Sequence, residues 1–107
     1  MEFKLLIVDD EIEVIETLSE LFLSLGYHVL GAGSGDEAVA ILEREPVDLV
    51  VLDLHMPGLP GEEVIRHIKA KAAKTKVVVV TGYPERGAGA RALGCDALLT
   101  KPFSREN

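Results

Sequence analysis

Apolar and polar positions follow two rhythms along this chain. Phe3-Lys4-Leu5-Leu6-Ile7-Val8 is a short, nearly continuous apolar run of the kind a buried strand shows. From Ile12 to Leu25 the period changes. Ile15, Leu18, Phe22 and Leu25 recur at spacings of three and four, with Glu13, Glu16 and Glu20 elsewhere, which predicts an amphipathic helix stopped by Gly26. His28 to Ala32 reads as a weaker strand. Ser34-Gly35-Asp36-Glu37 has capping-box spacing and opens a second helix with Ala38, Ile41 and Leu42 on its inner face. Leu49-Val50-Val51-Leu52 is a third strand, followed by a loop from Asp53 to Gly61. Val64, Ile65, Ile68 and Ala72 mark a third helix, and the valine run ending at Val80 a fourth strand from Lys76. Pro84 suits the first turn of a fourth helix, although Gly87 and Gly89 each weaken it by about 1 kcal/mol against alanine. Ala97-Leu98-Leu99 is a short fifth strand.

Strands alternating with helices predict an α/β fold, a doubly wound parallel sheet covered on both faces. Continuous apolar strands agree, because a half-exposed strand would alternate. At 107 residues the chain is one ordinary domain, large enough for a core of its own.

Charge and composition narrow the partners. Eighteen acids against eleven bases give a formal net charge of −7, which makes the domain a poor nucleic-acid binder by itself, because phosphate contacts need a basic face. A single cysteine, Cys95, excludes an internal disulfide framework and a cysteine-rich zinc site. No apolar run approaches the ~20 residues of a spanning helix, and the stretch from Met1 to Asp10 is too quickly acidic for a signal peptide. The expectation is a cytoplasmic domain with no membrane partner.

In parallel sheets of this class, ligands bind outside the carboxyl ends of the strands. Asp9 and Asp10 follow the first strand, Asp53 the third, Thr81 the fourth, and Thr100 and Lys101 the fifth, whereas the second ends in unreactive Gly31 and Ala32. Three carboxylates on one rim repel one another unless a cation sits among them. All-oxygen ligands, few of them from protein, favour Mg2+ over Ca2+. A divalent ion beside a carboxylate, a hydroxyl and an ammonium describes a site for a phosphoryl group. Thr81 and Lys101 would face its oxygens, and one carboxylate would be free to act as nucleophile and form an aspartyl phosphate.

The segments Ile7-Val8-Asp9-Asp10-Glu11, Asp53-Leu54-His55-Met56-Pro57-Gly58, Thr81-Gly82 and Lys101-Pro102-Phe103, in this order over nearly the whole chain, resemble the receiver domains of two-component response regulators. The resemblance implies a flavodoxin-like, five-stranded sheet of order 2-1-3-4-5. It implies phosphorylation of Asp53 by a sensor histidine kinase or phosphotransfer protein, with Mg2+ as cofactor. It implies that Asp10 ligates the metal directly, Asp9 mainly through water, Asp53 with its carboxylate and His55 with its backbone carbonyl. Thr81 and Lys101 would bind the phosphoryl oxygens, and the Lys101–Pro102 bond would be cis. Gly82 would leave room for the donor, and His55 and Tyr83 would flank the phosphoryl group and influence its lifetime. Such a domain is no enzyme in the usual sense: it catalyses only its own aspartyl phosphorylation and slow dephosphorylation, and passes the signal to an output domain or effector.

Other readings of the same residues are weaker. Asp10 to Glu13 has capping-box spacing, so Asp10 could also cap the first helix. Gly31-Ala32-Gly33-Ser34-Gly35 follows the second strand rather than the first, and Asp36 would repel a pyrophosphate. Gly87-Ala88-Gly89-Ala90-Arg91-Ala92 lies inside the fourth helix. An aspartate-based phosphatase needs a second acid two residues after the nucleophile, where this chain has His55.

Three features depart from the family. Leu98 stands where an aromatic is usual, which predicts weak coupling between phosphorylation and the fifth strand. The stretch from Thr81 to Lys101 is about two residues short, predicting a brief, marginal fourth helix. The chain stops at Ser104-Arg105-Glu106-Asn107, so residues 1–107 are expected to be a receiver cut before its fifth helix. The first helix cannot cover five strands by itself, so bare apolar surface is expected near strands three to five, open to a homodimer contact. The competing functional expectation is a constitutive protein-interaction module with a vestigial switch.

Overall fold

The computed structural model describes residues 3–56, 58–71, 74–82 and 84–100. Five strands and four helices alternate through them: β1 (Lys4–Val8), α1 (Ile12–Ser24), β2 (His28–Ala32), α2 (Gly35–Arg44), β3 (Leu49–Asp53), α3 (Gly61–Lys71), β4 (Lys76–Thr81), α4 (Pro84–Ala92) and β5 (Ala97–Thr100). All pairings are parallel and the order is β2-β1-β3-β4-β5, as the resemblance implied.

The main core lies between the sheet and α2, α3 and α4. Leu6 and Val8 of β1, Val50 and Leu52 of β3, and Val77 and Val79 of β4 are sealed there against Ala38, Ile41, Val64, Ile65, Ile68 and Ala90. These strand positions alternate, so the residues between them face the other side. That side carries α1 over β1 and β2. The covering is close at β2, where a Cβ on Gly31 would come within 2.9 Å of the Ile15 side chain. None of the α1 residues is fully buried, and among the described residues α1 packs on β1 and β2 with no other helix packed closely beside it. Farther along this face Val51 and Val78 are half-buried, Val80 is buried, and Ala97 and Leu99 are exposed. The expected bare surface is therefore found at β5 and not at the upper end of β4.

Two local expectations are refined. The α2 cap forms: the Glu37 N–H donates to Ser34 Oγ at 3.1 Å, and the return arm of Glu37 reaches the Gly33 N–H at 2.6 Å rather than that of Ser34. At α1 the N-cap is Glu11, not Asp10, and its side chain makes no capping bond. Helix α4 is the shortest of the four, at nine residues. Its Gly87 has a packing reason that propensity does not show: an added Cβ would lie 2.5 Å from Leu98 Cδ2. Leu98 is half-buried and packs on the main core.

Candidate functional site

The parallel register builds the site from three strand ends. Val8, Leu52 and Ala32 sit level across β1, β3 and β2, so the next residues, Asp9 and Asp53, emerge together at the carboxyl edge. The ladder continues one step past β1, with the Asp9 N–H donating to the Ala32 carbonyl at 3.0 Å. Asp53 lies level with Val80, and Thr81 one residue farther along β4, beside Thr100 of β5. The continuous apolar strands are thus what aims these polar side chains: each run is fixed by burial, and the first polar residue falls at the rim.

Asp9, Asp10 and Asp53 each place a carboxylate oxygen within 4.8 Å of the other two. Asp9 and Asp53 are buried and Asp10 is exposed, so the cluster opens to solvent on the Asp10 side. Two short turns hold the buried pair. Asp9 Oδ1 accepts the Glu11 N–H at 2.9 Å, and Asp53 Oδ1 accepts the His55 N–H at 3.0 Å. Carboxylates that bond a backbone amide two residues on are a common way to organise such turns. Thr81 is fully buried. Among the described residues no buried side-chain oxygen or nitrogen lacks a partner.

Three oxygen donors so close, with one side open for water and a further ligand, suit a hard divalent cation of the Mg2+ type. His55 is exposed in the loop after β3. Lys101, the Lys101–Pro102 bond, Phe103, Ser104 and Tyr83 lie outside the described residues. Of the expected site residues, the structure therefore joins Asp9, Asp10 and Asp53, and puts Thr81 at the end of the neighbouring strand. One contact of the loop that follows Asp53 has no signal in the sequence. Asp36, at the start of α2, accepts the Leu59 N–H at 3.3 Å across 23 positions of sequence. No local pattern signals a contact of that span.

Comparison with known proteins agrees with this geometry. The family model described as "Response regulator receiver domain" matches residues 5–107. The chain belongs to the response regulator receiver domain family. It is 34% identical over 105 residues to sporulation initiation phosphotransferase F of Bacillus subtilis, covering 96% of this chain and 85% of that protein. It is 35% identical over 106 residues to the alkaline phosphatase synthesis transcriptional regulatory protein PhoP of the same organism, covering 97% of this chain but only 44% of that longer protein. Among solved structures it is similar to response regulator TrrA of Thermotoga maritima in complex with Mg2+ and BeF, with TM-score 0.86 and 33% identity, covering 97% of this chain and 90% of that one.

Membership in this family makes the chain a module of phosphorylation-dependent signalling. The receiver fold also disposes of both glycine-rich alternatives. Gly31 to Gly35 runs from the end of β2 into α2, away from the first strand, and Gly87 to Ala92 lies within α4. No helix among the described residues is long and apolar enough to cross a membrane.

Proposed function

We propose that this receiver takes a phosphoryl group onto Asp53 from a sensor histidine kinase or phosphotransfer protein, uses Mg2+ to do so, and loses the group by slow hydrolysis. The observation that carries the proposal is the cluster of Asp9, Asp10 and Asp53 at one sheet edge. Asp10 and Asp53 would hold the metal with their carboxylates, Asp9 through water, and His55 with its backbone carbonyl. Bound there, the cation would offset the charge of the carboxylates and of the phosphoryl oxygens.

The chain's own residues do the rest. The His55 N–H fixes the rotation of the Asp53 carboxylate through Oδ1, presenting the group as an oxygen nucleophile. Attack forms an Asp53 O–P bond as the donor's P–N bond breaks, and the leaving imidazole takes up a proton. Thr81 donates its hydroxyl to one phosphoryl oxygen and Lys101 its ammonium to another. Water later attacks the phosphorus, the Asp53 O–P bond breaks, and inorganic phosphate leaves Asp53 as the carboxylate. The domain thus catalyses only its own modification, acts in the cytoplasm, and hands its state to an output domain or effector.

The test is intact mass after incubation with acetyl phosphate. The wild type gains the mass of one phosphoryl group with Mg2+ and none with chelator, and Asp53→Asn gains none. No gain with a competent donor, or equal gain in the variant, refutes the proposal. One observation favours the second reading, a constitutive interaction module. Leu98 fills the space left by Gly87 and binds β5 to α4 through aliphatic packing. Equal affinity for a partner with and without beryllofluoride would support that reading.

A further inference from the structure

The segment that leaves Asp53 carries His55, and it is gripped from two sides. On one side stands the first turn of α2. Asp36 Oδ2 accepts the Leu59 N–H at 3.3 Å, and a Cβ on Gly58 would come within 2.8 Å of the same oxygen. A Cβ on Gly35 would lie 2.4 Å from the Leu59 carbonyl oxygen and 3.0 Å from Leu59 Cβ. Only a residue without a side chain lets the two backbones meet this closely. On the other side stands the first turn of α3. A Cβ on Gly61 would meet Leu54 Cα at 2.9 Å and the Asp53 carbonyl oxygen at 3.2 Å. The jaw formed by α2 is itself held still, by the Glu37 N–H on Ser34 Oγ and by Glu37 Oε1 on the Gly33 N–H.

We infer that Gly35 and Asp36 are positioning residues for the acidic site: the start of α2 clamps the loop between Asp53 and α3, and so sets how tightly the site holds a divalent cation. The inference rests on the proposed role of the site. Its physical basis is preorganisation. A ligand contributed by loop backbone binds well only if the loop need not be ordered at the moment of binding. Asp36 and Gly58 are exposed, whereas Gly35 is buried and Leu59 packs against the main core, so Asp36 is where the contact can be loosened with least effect on the core. The consequence falls on the loop.

The experiment measures Mg2+ affinity by calorimetry, together with amide exchange of the metal-free protein at residues 54–56, 58 and 59. Asp36→Ala loses both the charge and the acceptor. Asp36→Asn loses the charge and keeps an acceptor. Gly35→Ala keeps the charge and pushes on Leu59. Asp36→Ala and Gly35→Ala should weaken Mg2+ binding about fivefold, equivalent to about 1 kcal/mol, and speed exchange of the Leu59 amide. Asp36→Asn should stay within about twofold of wild type. Affinity unchanged in Asp36→Ala, or Asp36→Asn as weak as Asp36→Ala, overturns the clamp and leaves the proposed function standing. A wild type that binds no Mg2+ overturns both.

Discussion

Asp53→Asn should stabilise the folded receiver in magnesium-free buffer and lose that advantage once magnesium is added. Asp53 shares the sheet edge with Asp9 and Asp10, their carboxylate oxygens within 4.8 Å of one another. Two unit charges about 5 Å apart repel by about 1 kcal/mol in bulk water, and by about 3 kcal/mol at the effective permittivity of ~20 near a protein surface. Asp10 is exposed, so its repulsion of Asp53 lies near the lower figure, while the buried Asp9 lies between the two. Relief of both pairs is therefore worth about 2–3 kcal/mol. Part of it is offset, because the His55 N–H would donate to a neutral amide oxygen instead of a carboxylate, at a cost of about 1 kcal/mol. The net expectation is a gain of about 1–2 kcal/mol, or roughly 5–10 °C in thermal midpoint for a domain of this size. Urea and thermal unfolding followed by circular dichroism at low ionic strength measure it, since salt screens the exposed pair. A variant less stable than wild type without magnesium, or a difference that magnesium does not change, would refute the electrostatic reasoning.

Three further outcomes are expected. Gly87→Ala gains about 1 kcal/mol of helix propensity but drives a Cβ onto Leu98 Cδ2 at a cost of about 1–3 kcal/mol, so it should be neutral to about 2 kcal/mol destabilising in the wild type and stabilising in a Leu98→Ala background; the same effect in both backgrounds would show that the two do not meet. Asp96 accepts the Val77 N–H at 2.8 Å, and this bond, ahead of the Lys69 and Lys76 charges, holds its carboxyl below the usual range. A lowered folded-state value means the contribution is present above the unfolded carboxylate value and is lost as pH falls through the folded one; Asp96→Asn should therefore flatten the stability curve below about pH 4, and curves parallel to wild type would contradict it. On addition of beryllofluoride and Mg2+, methyl signals of Leu98 and amides of α4 should shift less than the surroundings of Asp53; equal shifts would show that β5 is coupled to the site after all.

Much of this architecture was readable because its central strands, β1, β3 and β4, are largely buried on both faces. Leu5 to Val8 and Val77 to Val80 are continuous apolar runs for that reason, and the polar residue ending each run marks the functional rim. The strands run one residue farther than their apolar parts, so that Asp53, Thr81 and Thr100 are the last ladder residues of β3, β4 and β5. The start of α1 at Ile12 was readable from the change of period, but its cap was not. Asp10 and Glu13 have capping spacing, but the helix begins after Glu11, whose N–H is taken by the Asp9 side chain. Gly87 was legible only as a weak helix former; its second meaning needs Leu98, a neighbour on another element. The bond from Asp36 to Leu59 was hidden for the same reason, because it is a tertiary contact between two turns. Pairing of separated elements is set by the fold as a whole, whereas rim residues are set by where each apolar run stops.

Phosphorylation at this edge depends on one convergence, that the acids following β1 and the acid ending β3 share a single divalent ion. Anomalous diffraction from crystals grown with Mn2+ tests it most directly. One strong peak within ligand distance of the Asp10 and Asp53 carboxylates and the His55 carbonyl is the expected result. An empty carboxyl edge, with Mn2+ held instead among the glutamates of α1 or nowhere on the molecule, would contradict it.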